Sequence, residues 1–474
     1  MTSVTLPDEK IQKNLPWIAA LAMFMQSLDA TILNTALPSI ARDLNRSALS
    51  MQSVIVCYTL TLALLIPLSG WLADRFGSQK VFILAMSLFT LGSFACAVSQ
   101  TLPELVASRI LQAVGGSMMV PVSRLAILYT YSKDKLLTVI NFITIPGLVG
   151  PIVGPTLGGW LVDIASWHWI FLINIPIGVI GVLWARKVMP DYKQAKKKFD
   201  FSGMLLFGGS LVLLTVGIEL GSEKVIAKWW LLAIIGLGFL LMNLYYWHYK
   251  RTESPIINLH LIRIRTLRIG IFGNLLTRLG IGGMPLMLPL LFQVGLQHSA
   301  MVSGMMMIPV ALSAVLIKQW VVPIVRFLGY KKTLLINTII IAVVISLFSF
   351  TDTSTPLPNL IPLLVIFGAV NSIQLTAMNT LSLSDLDQQT ASGGNSILMV
   401  MQQLSMSLGI SVGAFLISTF REIRGVESYT NLQPFHDTFL TMGIITALSS
   451  LLFLRLKKTD GAELAGNITE SPKS

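Results

Sequence analysis

Five ionisable residues lie inside long apolar stretches of the sequence: Asp29, Arg109, Arg124, Arg278 and Lys318. A charge among apolar groups is costly, so each of these side chains must be paired, reach a polar boundary or take part in function. Asp29 is the single acid of the set. The chemistry that these residues offer is proton uptake by one carboxyl group and binding of acceptor or anionic groups by the cations.

Asp29 and Arg109 are positioned to form an ion pair. Asp29 lies about nine residues, or roughly 13 Å along a helix, from the end of its apolar stretch, and Arg109 enters its own stretch to a similar depth. Burial favours the neutral carboxyl group, whereas a neighbouring guanidinium favours the carboxylate. Two interpretations stay open: a permanent structural ion pair, or a pair that opens when Asp29 takes up a proton or when substrate binds.

The other three cations divide into two groups. Arg278 lies near the middle of its stretch, with no acidic residue at similar depth in the second half of the sequence. This favours a substrate-facing cation. Arg124 and Lys318 lie near the ends of their stretches, where long side chains can reach the headgroup layer, which favours a structural role. The excess of buried cations favours neutral or anionic cargo.

Uncharged polar residues at helical spacing could line the same cavity as Arg278. The candidates are Gln26 near Asp29, Gln112 near Arg109, Asn371 with Gln374, and Gln402 beside Gln403. Some of them could instead form hydrogen bonds between helices.

The composition requires that these residues sit in a membrane. Of 474 residues, 54% are hydrophobic and 12% are charged, about half the charged fraction of a typical soluble domain. Fourteen apolar stretches have the length of a membrane-spanning helix: 15–38, 50–73, 80–98, 104–128, 137–161, 167–188, 202–220, 228–248, 267–292, 300–322, 333–351, 358–383, 392–420 and 436–456. The sequence therefore predicts an all-α, polytopic membrane protein. It argues against a secreted disulfide scaffold, a soluble enzyme and a nucleic-acid-binding protein.

The distribution of basic residues predicts the topology. If the amino terminus is cytoplasmic, most of the 34 Lys and Arg fall in cytoplasmic segments, as the positive-inside rule requires. An even number of spans then places both termini in the cytoplasm.

Two basic stretches, 189–201 and 249–266, bracket the seventh and eighth spans. They predict four parts: an N-terminal six-helix half (1–188), an inserted helix pair with basic linkers (189–266), a C-terminal six-helix half (267–456) and a cytoplasmic tail (457–474). A faint repeat supports a duplication, since Arg75, Phe76, Gly77 and Lys80 are echoed by Arg326, Phe327, Gly329 and Lys332. Parallel repeats of this kind are typical of transporters with a site between the halves.

The fifth span carries a glycine and proline pattern along one helix face. Its members are Gly147, Gly150, Pro151, Gly154, Pro155, Gly158 and Gly159. Small residues let two backbones approach closely. Either this is ordinary tight packing, or the face is specialised for the interface between halves that rock; the regular spacing favours the second interpretation.

Several classes of chemistry have no support. The sequence contains no GxxxxGK[ST] phosphate loop, and its five histidines are scattered, so neither ATP-driven pumping nor enzymatic catalysis is predicted. Cys57 and Cys96 lie inside apolar stretches and suggest neither a disulfide nor a metal site. No cofactor is expected.

Five motifs in order over the first 180 or so residues resemble those of the major facilitator superfamily, in its fourteen-helix branch of drug–proton antiporters. They are the first-helix segment 28–38, the loop 70–80 with Gly70, Asp74, Arg75, Gly77 and Lys80, the fourth-helix segment 109–116, the glycine–proline helix 146–159, and the segment 167–176. The resemblance implies the major facilitator fold, with two six-helix halves and an inserted pair. It also implies proton coupling at Arg109.

The resemblance further implies that Asp74 and Arg75 stabilise one gating state, with Asp74 opposite the start of the thirteenth helix near Ser392 and Gly393. Two departures from the family pattern stand out. Ser78 occupies a position at which the family usually has Arg, and Val325 stands where the second half would carry Asp. Gating is therefore expected to be asymmetric.

Together these observations predict a proton-coupled exporter of small molecules, of the multidrug efflux type, in the bacterial inner membrane. The alternative is an exporter of an organic anion such as a carboxylate or a metal–carboxylate complex. A channel or a structural membrane protein is disfavoured by the gating loop and the glycine–proline helix. The expected partners are small-molecule substrate, protons and the lipid bilayer, without nucleic acid, and the chain is expected to function as a monomer.

Overall fold

The computed structural model describes residues 9–131, 133–193, 199–223, 227–252, 255–386, 391–426, 430–457 and 459–461. Every secondary-structure element within these residues is a helix, and the contacts divide the chain into two compact units. The first unit comprises Met1–Phe199 with Ser299–Met305, and the second comprises Asp200–His298 with Met306–Ser474. Part of the predicted basic cluster, residues 194–198, and most of the predicted tail, 462–474, lie outside the described residues.

The first unit is built from the amino-terminal helices. They are α1 (Glu9–Asp43), α2 (Gln52–Phe76), α3 (Ser78–Ala97), α4 (Leu102–Thr130), α5 (Lys133–Ile164), α6 (Trp169–Leu172) and α7 (Asn174–Val188). The short α6 and α7 form one span interrupted at Ile173. An apolar core drawn from α1, α2, α3, α4, α5 and α7 holds them together, with Phe82, Phe89 and Met119 completely buried.

The remaining helices follow in chain order. They are α8 (Phe201–Glu223), α9 (Lys228–Arg251), α10 (Arg265–Ile281), α11 (Met284–Leu290), α12 (Ala300–Leu316), α13 (Lys318–Leu347), α14 (Leu357–Leu383), α15 (Ala391–Ile423) and α16 (Gln433–Phe453). The pair α10 and α11, with the π-helical turn Leu291–Gly295, forms one interrupted span. Helix α12 begins in the first unit and continues in the second from Met306.

The predicted all-α membrane fold is confirmed. Among the described residues, twelve helices are long and apolar enough to cross a membrane. The two other predicted spans contain the shorter apolar helices Phe201–Gly217 and Ala300–Leu316. The predicted spans 300–322 and 333–351 are separated in the structure by the non-helical residue Gly329, which lies inside the range Lys318–Leu347.

Two glycines mark corresponding turns in the two units. Gly77 separates α2 from α3 with φ 106°, and Gly329 interrupts α13 with φ 73°. Residues other than glycine rarely adopt positive φ angles because the Cβ atom clashes with the backbone. The backbone therefore supports the repeat suggested by the sequence around Gly77 and Gly329.

Candidate functional site

Asp29 and Arg109 meet inside the first unit. One carboxylate oxygen of Asp29, Oδ2, accepts a hydrogen bond from Arg109 Nη1 at 2.7 Å. The other, Oδ1, accepts from Gln112 Nε2 at 2.7 Å and from Asn174 Nδ2 at 3.1 Å. Both members of the ion pair are 1% exposed. The carboxylate is thus held by three donors from α4 and α7.

The guanidinium of Arg109 is held on its remaining sides by α2 and α6. Its Nε donates to the carbonyl oxygen of Val54 at 3.5 Å, and Nη1 also donates to Gln112 Oε1. The ring of Tyr58 lies 4.1 Å from the guanidinium carbon and that of Phe171 lies 5.9 Å away. Aromatic faces attract cations, most strongly where water is excluded.

Local sequence fixes the residue at which α4 begins. Thr101 caps the helix by accepting a hydrogen bond from the Glu104 backbone N–H at 3.4 Å, and the Glu104 carboxylate accepts from the Gln100 N–H at 2.9 Å. This is a variant of the capping box in which the acid accepts from the residue before the cap. Arg109 and Gln112, three residues apart, then share one face of the helix. Gln112 reaches past Asp29 to Ser93 Oγ at 2.8 Å.

Gln112 was predicted to line a substrate cavity. In the structure it is completely buried and bonded to both members of the ion pair. It therefore belongs to the ion-pair network, and its predicted role toward substrate stays a prediction.

Sequence reasoning missed Asn174 as a site residue. The segment 167–176 contains it and was recognised by resemblance alone. The structure shows which contacts this segment makes. Trp167 Nε1 donates to Asp43 Oδ2 at the end of α1, at 2.7 Å. Phe171 faces Arg109, and Asn174 binds Asp29. The available signal was an uncharged amide at a helix start within an otherwise apolar segment.

The glycine face of α5 packs against α1 within the first unit. A Cβ atom at Gly150 would lie 2.4 Å from Ser27 Oγ, one at Gly154 would lie 2.2 Å from Thr31 Oγ1, and one at Gly158 would lie 2.5 Å from the Ile32 carbonyl oxygen. Thr31 Oγ1 donates to the Gly150 carbonyl oxygen at 3.2 Å. The expectation that this face serves the interface between halves stays a prediction. They bring α5 against the helix that carries Asp29.

Two other residues of the motif contact the start of α12. A Cβ atom at Gly159 would lie 2.2 Å from the Ala300 carbonyl oxygen, and one at Gly304 would lie 2.3 Å from the Pro155 carbonyl oxygen. Asp163, further along α5, accepts a hydrogen bond from the Met301 N–H at 2.9 Å. Gly147 lies near Met23, and Pro151 is half-buried.

The loop 70–80 places its residues around the end of α2. The Tyr129 hydroxyl donates to Asp74 Oδ1 at 3.4 Å, and the exposed Arg75 lies over the ring of Trp71 at 5.1 Å. Lys80 is exposed, and a Cβ atom at Gly70 would meet nothing within 4 Å. The side chain of Ser392, which the resemblance places near Asp74, is outside what the structure describes.

Polar candidates in the second unit fall into two groups. Gln374 accepts from Asn337 Nδ2 and donates to Thr338 Oγ1, both at 2.9 Å, and Gln402 donates to Asn379 Oδ1 at 2.6 Å. These are bonds between neighbouring helices. In contrast, Arg278 Nε and Asn371 Oδ1 are buried without a hydrogen-bond partner in the described part of the chain. An unsatisfied buried donor or acceptor is the group that gains most from a ligand.

Of the remaining candidates, Gln26 and Arg124 contact other residues of the first unit, whereas Lys318 lies at the surface. Gln26 Nε2 donates to the Gly116 carbonyl oxygen at 3.2 Å. Arg124 contacts Met23 Sδ at 3.9 Å, and Lys318 is an exposed residue at the start of α13. The described residues contain no group of three or more His, Cys, Asp and Glu arranged to hold a metal ion.

A sequence model of the Major Facilitator Superfamily matches residues 19–410. The chain belongs to the Major Facilitator Superfamily. Members of this superfamily are transporters, so the predicted family is confirmed and so is the prediction that the chain is not an enzyme.

The chain is similar over most of its length to curated bacterial proteins. It is 43% identical over 441 residues to a protein of Pectobacterium atrosepticum named "Putative multidrug resistance protein MdtD", covering 93% of this chain and 95% of that protein. It is 41% identical over 441 residues to the protein of that name in Klebsiella pneumoniae, covering 93% and 94%.

Solved transporter structures share the fold at low sequence identity. The nucleoside transporter NupG gives a TM-score of 0.67 at 14% identity, covering 93% of this chain and 99% of that one. A POT family transporter gives 0.70 at 13% identity, covering 94% and 98%. At this identity the comparison supports the Major Facilitator Superfamily fold alone.

Proposed function

We propose that this chain is a proton-coupled exporter of small molecules, of the multidrug efflux type, in the bacterial inner membrane. The name of its relatives supports the drug class. The single observation that supports proton coupling is the buried Asp29–Arg109 pair, in which both carboxylate oxygens accept hydrogen bonds. The alternative of an organic-anion exporter is not favoured by those relatives.

Protonation of Asp29 removes the negative charge of the ion pair, and the proposed coupling depends on this step. A neutral carboxyl group loses the charge-assisted bond to Arg109 and leaves a buried guanidinium without its counter-ion. Breaking a buried pair by removing one charge costs about 3–5 kcal/mol. A conformation that gives Arg109 a new partner or water relieves this cost, so proton uptake selects between conformations.

The burial of the pair also sets an order of events. Asp29 is 1% exposed in this conformation, so its proton can be exchanged with solvent only after the surrounding helices part. Proton exchange and the opening of the site are then the same movement. This is the physical requirement for coupling a proton gradient to transport in a protein that alternates access.

Within this proposal, Arg278 and Asn371 are cavity residues that offer substrate an unsatisfied donor and acceptor. Gln26 and Gln402 are further candidates. Asp74, Arg75 and the Gly77 turn act as the gating motif.

Transport by purified protein in liposomes tests the proposal. With an imposed proton gradient, the wild-type protein should accumulate a lipophilic cation such as ethidium while a trapped pH dye reports proton movement in the opposite direction. Asp29→Asn keeps the shape and the donors around position 29 but cannot change charge, so gradient-driven accumulation should be lost.

Asp352→Asn is the matched control, since Asp352 is exposed in the turn after α13. It should transport like the wild type. Gradient-driven accumulation by Asp29→Asn at the wild-type rate would remove Asp29 from the coupling mechanism.

A further inference from the structure

The turn between α2 and α3 is held by the segment that follows α7. Ser78 donates its backbone N–H to the Tyr192 carbonyl oxygen at 3.0 Å and its hydroxyl to the Pro190 carbonyl oxygen at 2.8 Å. The same hydroxyl accepts from the Tyr192 N–H at 2.9 Å. Ser78 is completely buried, so this slot is built for a short side chain.

Asp191 supplies the second anchor of the turn. Its Oδ1 accepts the backbone N–H of Gln79 at 3.2 Å, and a Cβ atom at Gly77 would lie 2.0 Å from that oxygen. The first N–H groups of a helix have no acceptor within the helix. Residues 190–192, which we name the first strap, therefore cap the start of α3 from a distant part of the chain.

The start of α3 is also bonded to α7, and the first strap is bonded to α4. The Gln79 side-chain amide donates to the Ala185 and Arg186 carbonyl oxygens at the end of α7, both at 3.1 Å. The Tyr192 hydroxyl lies 3.0 Å from Thr130 Oγ1 at the end of α4. The turn is thereby fixed to the ends of α4 and α7.

The second unit repeats the arrangement with different residues. The turn at Gly329 is followed by Lys331, whose Nζ donates to the Leu454 carbonyl oxygen at 2.8 Å. Tyr330 is buried in a core cluster with Leu456, and a Cβ atom at Gly461 would lie 2.6 Å from its ring. We name residues 454–461, described except for residue 458, the second strap.

The second strap has its own anchor to α10. The Arg265 guanidinium donates to the Arg455 carbonyl oxygen and lies 3.5 Å from Asp460 Oδ2. Asp460 in turn accepts the Lys457 N–H at 2.8 Å. In both units, the segment that leaves the last helix holds the turn after the second helix of that six-helix set.

We propose that the two straps are positioning elements of the gating turns, and that Ser78 and Asp191 are the residues through which the first strap acts. Ser78 and Asp191 act through hydrogen bonds to backbone groups. Position 78 of this chain carries serine, where the family usually has arginine. The anchor at Asp191 therefore depends on an acceptor oxygen rather than on charge. This inference rests on the proposed function, because a gating turn has meaning only in a transporter.

Three variants of the full-length protein test the inference: Asp191→Ala, Asp191→Asn and Ser78→Ala. Hydrogen–deuterium exchange of the peptides covering residues 77–82 and 188–193 measures these bonds directly and needs no transport. Loss of one such bond should raise exchange of the Gln79 amide about tenfold in Asp191→Ala. Ser78→Ala removes the hydroxyl that accepts from the Tyr192 N–H and should have a similar effect at the Tyr192 amide. Asp191→Asn retains an amide oxygen and should exchange like the wild type.

Transport kinetics supply the second readout. In Asp191→Ala, Vmax should fall about fivefold or more with KM within about twofold of the wild type, since the turn and not the substrate site is changed. Wild-type exchange and Vmax in Asp191→Ala would overturn the proposal. Damage in Asp191→Asn equal to that in Asp191→Ala would also overturn it, by showing that charge is required. If the wild type transports none of the drugs tried, the proposed function fails while the exchange measurement still decides the straps.

Discussion

At the scale of single residues, the carboxylate of Asp29 is held by one charged donor and two neutral ones. Arg109 sets the charge balance, whereas Gln112 and Asn174 stabilise the carboxylate through hydrogen bonds alone. Both amides can be replaced without altering the charge of the protein, so their contribution can be measured separately from that of Arg109.

Asn174→Ala should slow gradient-driven transport severalfold. The substitution removes one donor at 3.1 Å from Asp29 Oδ1, and the loss of one hydrogen bond in this buried network costs about 1 kcal/mol. The measurement is the initial rate of drug transport in liposomes at a constant proton gradient.

Ser93→Ala is the control, because Ser93 contacts Gln112 and reaches Asp29 only through that amide. Its transport rate should stay close to that of the wild type. A wild-type rate in Asn174→Ala would contradict the proposed role of Asn174.

The ion pair illustrates what the sequence could and could not reveal about the site. Asp29 and Arg109 stand out because a charge in an apolar stretch is rare and costly. Gln112 was visible through its spacing from Arg109, but its partner could not be assigned. Asn174 and Tyr58 carry no charge and no helical periodicity, so only the packing of α2 against α4 and of α7 against α1 brings them into contact with the pair.

At the scale of helices, the contact between α1 and α5 depends on the absence of side chains. A Cβ atom added at Gly150, Gly154 or Gly158 would lie less than 3.0 Å from an atom of α1. The sequence predicted a small-residue face correctly, yet it could not say which helix the face meets. That depends on the rotation of α5, which is determined by its neighbours rather than by its own sequence.

Gly158→Ala should impair both stability and transport. Its Cβ atom would lie 2.5 Å from the Ile32 carbonyl oxygen, a backbone atom, so α1 and α5 must move apart. Overpacking of this kind costs about 1–3 kcal/mol. The thermal midpoint of the purified protein and its drug transport should both fall.

Gly147→Ala is the matched control on the same helix. Its Cβ atom would approach the terminal methyl group of Met23 at 3.1 Å, and a flexible side chain can move aside. Equal loss of stability in the two variants would show that helix propensity or general crowding, and not the contact with the α1 backbone, is responsible.

At the scale of the whole molecule, the chain places helical segments in each of the fourteen predicted spans, and that much followed from hydropathy alone. Apolar length identifies a span because every backbone polar group must be satisfied within it. Boundaries were less predictable, since the turn at Gly329 lies inside one continuous range, Lys318–Leu347. The division at residues 188 and 266 and the cytoplasmic location of both termini stay predictions.

Labelling of single cysteines should test the topology. Lys193 and Arg46 are exposed, and the predicted topology puts Lys193→Cys in the cytoplasm and Arg46→Cys outside. A membrane-impermeant maleimide should label Arg46→Cys in intact cells and Lys193→Cys only in inverted vesicles. The wild type reports the background from Cys57 and Cys96, and the reverse labelling pattern would invert the predicted topology.

The contact between α5 and α1 has a genetic consequence. Gly150 and Gly154 meet Ser27 and Thr31, which flank Asp29 by two residues on either side. A larger residue at position 154 therefore displaces the helix segment that carries Asp29, the carboxyl group proposed to bind the proton. Selection for regained transport in such a mutant should recover second-site suppressors that shorten Thr31, far from position 154 in sequence and on the helix that it touches.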